Sequence, residues 1–142
     1  MEIIALPVAA SLMVLALLHA YWGTGGLWPG SSRDTLAAQV FGGPPGTPMP
    51  SVTACYAVAG LLILASWLVL AASGLLSAAG WPTGLIRSGA FGVAGVFVLR
   101  GGLGYALPRL TSGNPTFARL NRAIYSPLCL GLGALTLLSL LG

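Results

Sequence analysis

Four stretches of this sequence are long and apolar enough to cross a bilayer, and that leaves few ways for the chain to fold. Crossing the hydrocarbon core takes about 20 apolar residues in a helix, because each residue adds only about 1.5 Å. Residues 3–22, IIALPVAASLMVLALLHAYW, satisfy this, as do stretches at about 51–77, 84–106 and 117–141. In lipid every backbone N–H and C=O needs a partner within the protein, so each stretch is expected to be helical. The expected fold class is all-α. It is a four-helix transmembrane bundle with a long first loop, one integral membrane domain over residues 1–142.

Charge narrows the function classes. Only 6% of the 142 residues are charged, against about 25% in a soluble domain. The net charge of +4 comes from six arginines and no lysine. Dispersed arginines do not make the clustered basic face that nucleic acid requires, so no nucleic-acid partner is expected. They suit topology marking and contact with membrane lipids. Cys55 and Cys129 show no metal-site spacing, and one histidine with two acids cannot complete a conventional zinc or iron site, so no metal is expected. The residues name no cofactor. The first apolar stretch does not read as a cleaved signal: Glu2 stands where basic residues belong, and LLHAYWG lacks a small-x-small cleavage pattern.

The connections differ in kind. Residues 23–50 form a long glycine- and proline-rich loop containing SSRDTLAAQVFGG, which reads as a short helix. Ser32 is its expected cap, Leu36 and Val40 share a face, and Gly42-Gly43 stops it. AAGWPTG is a tight turn whose Trp81 suits the aromatic belt. PRLTSGNPT is a short loop closed by a turn at Asn114-Pro115. Arg33, Arg109, Arg119 and Arg122 lie in or beside the first and third loops, and Arg87 alone marks the other side. The positive-inside rule then puts those loops in the cytoplasm and both termini outside. Both cysteines fall nearer the reducing side, where a structural disulfide is not expected. On the third span Gly84, Ser88 and Gly92 make a small-xxx-small face that lets a neighbouring backbone approach.

The polar groups gather at one end. Alternating spans bring together the end of the first, the start of the second, the end of the third and the start of the fourth. The first supplies His19 and Trp22, which share a face at i,i+3. The second supplies Thr53, Cys55 and Tyr56, and the third Arg100 and Tyr105. The fourth supplies Asn121, Tyr125 and Cys129 on one i,i+4,i+8 stripe, with Arg122 and Ser126 on a second. Pro127 donates no N–H and its ring clashes with the carbonyl of Ala123, so the helix is expected to bend there and free that carbonyl. A bend beside Asn121, Tyr125 and Ser126 would make a small polar opening at membrane depth. Arg100 lies about six residues inside its span. It either snorkels to phosphate or turns inward to hold an anion or the polar groups of the fourth span. His19 reads as a hydrogen-bonded structural group, a proton donor or an axial ligand.

What is missing discriminates further. Glu2 and Asp34 are peripheral, so no span carries a carboxylate, which counts against ion-coupled transporters and proton pumps. There is no CxxC, HExxH, GxSxG or phosphate loop.

In order and spacing, LHAYWGTGGLWP, VFVLRGG and FARLNRAIYSPLCLGLG resemble an uncharacterised family of small bacterial four-span membrane proteins with a domain-of-unknown-function label. The resemblance implies that His19, Trp22, Gly25, Gly26, Arg100, Phe117, Tyr125, Ser126, Pro127 and Cys129 occupy the family's motif positions. It implies an acid where this chain has Asn121, a departure that removes a titratable group there. It carries no reaction, cofactor or substrate, and places the chain in the bacterial inner (cytoplasmic) membrane.

Three functions follow as expectations. The first is a polar pocket at the cytoplasmic side that binds a lipid, isoprenoid, pigment or similar amphiphile, through His19, Trp22, Arg100, Asn121, Tyr125 and Ser126. The second is an accessory subunit of a larger membrane complex, or a homo-oligomer, assembled through glycine-rich helix faces. The third is a small enzyme acting on a lipid-like substrate, with His19 or Tyr125 as acid or base and Arg100 steadying negative charge.

Overall fold

The computed structural model describes residues 2–107 and 113–142; Arg109 and most of the third loop lie outside the described residues. Helix α1 spans Glu2–Gly23, α2 Arg33–Val40, α3 Val52–Ala72 and α4 Thr83–Ala106. The last span is composite: α5 (Pro115–Leu120), a π-helical turn (Asn121–Tyr125) and α6 (Ser126–Leu141). Four helices are long and apolar enough to cross a membrane, at Ile3–Gly23, Val52–Ala72, Thr83–Ala106 and Pro115–Leu141.

Helix α1 packs on α3 and α6, and α4 packs on the same two, so α1 and α4 stand across a diagonal. The central core joins Ala5, Val8 and Leu12 of α1 to Ala65 and Val69 of α3 and Leu132 of α6. Buried alanines and glycines let the backbones close up, as expected where lipid supplies no hydrophobic drive between helices. The α4–α6 seam is the tightest case. A Cβ at Gly133 would sit 3.0 Å from the Ala94 carbonyl oxygen, and one at Gly101 would sit 2.9 Å from that of Ser126. The small-residue face expected at Gly84, Ser88 and Gly92 is not this seam. Gly84 and Gly92 meet nothing within 4 Å, and Ser88 is exposed. Burial runs instead along Ile86, Ala90, Ala94 and Gly101.

Helix ends account for the other departures. The second span stops at Ala72, five residues short of the expected 77. Gly74 adopts φ +76°, which a side chain would resist. Its N–H donates to Ala71 and that of Leu75 to Leu70, the paired bonds of a Schellman stop. Helix α1 ends the same way: Gly25 at φ +97° donates to Trp22 and Gly26 to Tyr21. Thus WGTGG is a helix terminator. Asn114-Pro115 opens a helix instead of closing a turn. The Asn114 side chain accepts from Phe117 N–H, and Pro115 fills a first-turn position where no donor is needed.

Helix α2 forms where expected. Ser32 caps it and Thr35 completes a capping box. It closes one end of the bundle, with Leu36 buried against Trp22 and Cys55, and Val40 packed beside them.

Candidate functional site

Pro127 stands just after a change of helical register, the π turn Asn121–Tyr125. In the turn before it, Ser126 N–H donates to the Asn121 carbonyl, five residues back. In that register the acceptor orphaned by the missing N–H of Pro127 is the carbonyl of Arg122, not of Ala123. Tyr105 of α4 supplies the donor, its hydroxyl lying 3.0 Å from the Arg122 carbonyl oxygen. The π register also regroups the side chains. Asn121 and Ser126, five apart, now meet, with Ser126 Oγ donating to Asn121 Oδ1 at 3.3 Å. The two i+4 stripes expected from α-helical spacing are therefore broken and recombined.

Asn121 is 1% exposed and Ser126 0%. The Asn121 amide is the hub of the cluster: Oδ1 accepts from Arg100 Nη2 at 3.1 Å, and Nδ2 donates to the Gly104 carbonyl at 3.0 Å. Gly104 is required for this geometry. A Cβ there would strike Ser126 Oγ and lie 2.9 Å from Asn121 Nδ2 and 3.0 Å from Arg100 Nη1. Side chains on a helix ordinarily lean toward its N-terminus. Arg100 reaches the other way, over Gly104, and so carries its guanidinium about one turn nearer the helix end. Arg100 thus both reaches toward the end of α4 and binds a neighbour. Its side chain remains exposed, and Asn121 is its one hydrogen-bond partner among the described residues.

The other candidate residues point elsewhere. Tyr125 donates its hydroxyl to the Gln39 carbonyl of α2 at 3.0 Å, and its ring packs against Phe117 at 5.9 Å. Asn114 Nδ2 donates to the neighbouring Ala38 carbonyl at 3.0 Å. Together they tie the C-terminal carbonyls of α2, which lack intrahelical donors, to the last span. His19 Nδ1 lies 2.8 Å from the Leu15 carbonyl. A carbonyl only accepts, so Nδ1 carries the proton there. The His19 ring meets Trp22 edge-on at 4.9 Å, and Trp22 Nε1 donates to the Trp28 carbonyl at 2.8 Å. Arg100, Asn121 and Ser126 are therefore one cluster. His19 and Trp22 are another, on the helix diagonal to α4, and Tyr125 serves α2.

Among the described residues, every buried side-chain nitrogen or oxygen has a hydrogen-bond partner. No three His, Cys, Asp or Glu side chains among them converge to hold a metal. An open cleft of about 220 Å³ lies outside the cluster, between α2, the proline-rich strap and the start of α5, with Asp34, Phe41, Pro44 and Asn114 in its walls. Gly104 and Gln39 escaped the sequence reading. Gly104 had a signal, a residue without a side chain one helical turn beyond an intramembrane arginine. Gln39 had none, since only its backbone carbonyl takes part.

No curated protein and no solved structure shows a detectable similarity to this chain. One family model does match, over residues 12–136, and it covers both polar clusters and all four spans in whole or in part. The chain belongs to the family described as "Protein of unknown function (DUF3995)".

Proposed function

We propose that this is a small integral membrane protein that binds an amphiphile at the α4–α6 seam, with the head at Arg100 and the tail along the apolar outer faces. The observation that carries the reading is the Arg100 guanidinium, anchored on a buried amide yet exposed on the bundle's outer surface. A cation at this depth is costly unless it meets an oxygen-rich partner, and its fixed hydrogen bond prepays part of the ordering entropy of binding. Exposed Leu99, Leu103 and Ile124 flank the seam in sequence and suit an acyl or prenyl chain. In this reading the protein lies in the bacterial inner membrane with this end cytoplasmic and both termini outside, as the arginine distribution favours.

The test is native mass spectrometry after gentle detergent extraction. A stoichiometric amphiphile should accompany the wild type, disappear in Arg100→Ala and persist in Arg33→Ala. A bare wild-type monomer sinks the proposal. One observation favours a second reading, an accessory subunit or homo-oligomer: Gly84, Ser88 and Gly92 face outward with nothing packed on them. Co-extraction of a defined partner chain, with the seam empty, would select it. The enzyme reading draws less support, because the Tyr125 hydroxyl is committed to a backbone carbonyl.

A further inference from the structure

We infer that the head recognised at the α4–α6 seam carries a phosphate group, and that Asn121 is the positioning residue that presents Arg100 to it. The inference rests on the amphiphile-binding reading and narrows it to one chemistry. Three features lead there. First, depth: Arg100 is six residues from the end of α4 at Ala106, about 9 Å below it at 1.5 Å per residue. The guanidinium reaches back over Gly104, as its 3.0 Å approach to a Cβ built there demonstrates. That carries the charge toward the layer where lipid phosphates lie.

Second, valence. Guanidinium is a planar fork of five donors that matches two oxygens of a phosphate or carboxylate. Nη2 is held by Asn121 Oδ1, and the remaining donors have no partner among the described residues. Asn121 Oδ1 takes Arg100 and Ser126 together, and Nδ2 gives one N–H to Gly104. At 1% exposure the second N–H of Nδ2 is buried, so the hub holds the arginine but does not reach a ligand. Recognition falls to the free edge of the guanidinium.

Third, charge. Asn121 is neutral, so it orients Arg100 without cancelling its charge. A carboxylate at that position would also accept from Arg100, but it would neutralise the charge and leave the Gly104 carbonyl without its donor. Arg122, exposed and next in sequence to Asn121, adds a second positive charge at this end of the bundle. A neutral headgroup would gain little from this arrangement; an anionic, oxygen-rich one gains both the fork and the field.

The experiment titrates delipidated protein in detergent with phosphatidylglycerol, phosphatidylcholine and diacylglycerol of the same acyl chains, read by native mass spectrometry. Phosphatidylglycerol should bind tightest and diacylglycerol weakest. Arg100→Ala should weaken phosphatidylglycerol about tenfold or more, and Arg100→Lys should recover it only in part, because a point charge cannot use the fork. Asn121→Asp is the second variant. It keeps an acceptor for Arg100 but gives up the N–H to Gly104, so thermal unfolding must show it folded, and it should then weaken phosphatidylglycerol nearly as far as Arg100→Ala. An excess of inorganic phosphate separates the sources. Displacement of the lipid means that free phosphate suffices, and its failure means that the lipid headgroup is the ligand. Equal binding of phosphatidylglycerol and diacylglycerol, both lost in Arg100→Ala, overturns the phosphate inference and leaves the amphiphile reading standing. Retention of no lipid by the wild type overturns both.

Discussion

Arg87 and Arg100 lie near opposite ends of one helix, and each donates Nη2 to an oxygen of the last span. Arg87 takes the Leu140 carbonyl at 2.8 Å, and Arg100 takes Asn121 Oδ1 at 3.1 Å. The partners differ in kind. Leu140 stands in the final turn of α6, where carbonyls lack intrahelical donors and the helix dipole is negative. Any helix end offers such an acceptor, so the Arg87 contact asks for little beyond the arginine. The Arg100 contact needs a buried amide, a glycine gap at 104, Ser126 in the same pocket of space, and a π turn to bring 121 and 126 together. One end of α4 uses a generic acceptor. The other is a built arrangement, and substitutions should separate them by cost.

The largest effect is expected at the hub. Asn121→Leu removes the acceptor of Arg100 and Ser126 and the donor to Gly104 at once. Leaving buried polar groups unpaired costs about 1–3 kcal/mol each, and these share one site, so the total should be about 2–4 kcal/mol. Thermal or denaturant unfolding in detergent measures it. A loss under about 1 kcal/mol would show that the hub is no more demanding than a helix end.

Next comes the glycine gap. Gly104→Ala forces a Cβ onto Ser126 Oγ and against Asn121 Nδ2, and overpacking of this kind costs about 1–3 kcal/mol. Gly92 lies on the same helix with nothing within 4 Å. Gly92→Ala should therefore be neutral, or stabilising by up to about 1 kcal/mol through helix propensity. Equal losses at 104 and 92 would break the claim that the seam is tight at one place and open at the other.

These contrasts explain what the sequence disclosed. Span number, the α2 helix and the Ser32 cap were legible because they depend on local runs and capping side chains. The end of α3 was not, since Gly74 reads as one more small apolar residue until its positive φ is seen. Asn114-Pro115 reads as a turn in the sequence and opens a helix in the structure, because the same pair suits both. Within the site, Arg100 and Asn121 were identified, but their partnership was not. Spacing was counted at 3.6 residues per turn, whereas the π register pairs 121 with 126. The grouping of His19 with Arg100 followed from membrane side alone. Sharing a side does not make two helices neighbours, and α1 and α4 are diagonal.

Two hydroxyls test the π turn from either side. Tyr105→Phe strips the Arg122 carbonyl of its donor and should cost about 1 kcal/mol globally. Tyr125→Phe removes one tie on α2, at Gln39, and its effect should be local. Amide exchange across Arg33–Val40 should quicken about fivefold, for a bond of about 1 kcal/mol, while exchange in α3 stays unchanged. Faster exchange throughout would mean that α2 is an integral part of the core and not a cap upon it.

The smallest effect is expected where the comparison began. Arg87→Ala deletes a contact to a backbone carbonyl in the last turn of α6, where dipole and hydrogen-bond terms together amount to about 0.3–1 kcal/mol. Leu140 is itself 4% exposed, but exposed Leu141 and Gly142 follow it, so fraying of the last turn can open its carbonyl to water or headgroup. That is the physical difference from Asn121, whose polar atoms have nowhere else to go. Salt should sharpen the result, since screening weakens an exposed cation at a dipole far more than a hydrogen bond inside the seam. Raising ionic strength should shrink the Arg87→Ala difference toward zero and leave that of Asn121→Leu in place. If both shrink together, the hub is as solvated as the helix end, and Arg100 is held by charge alone.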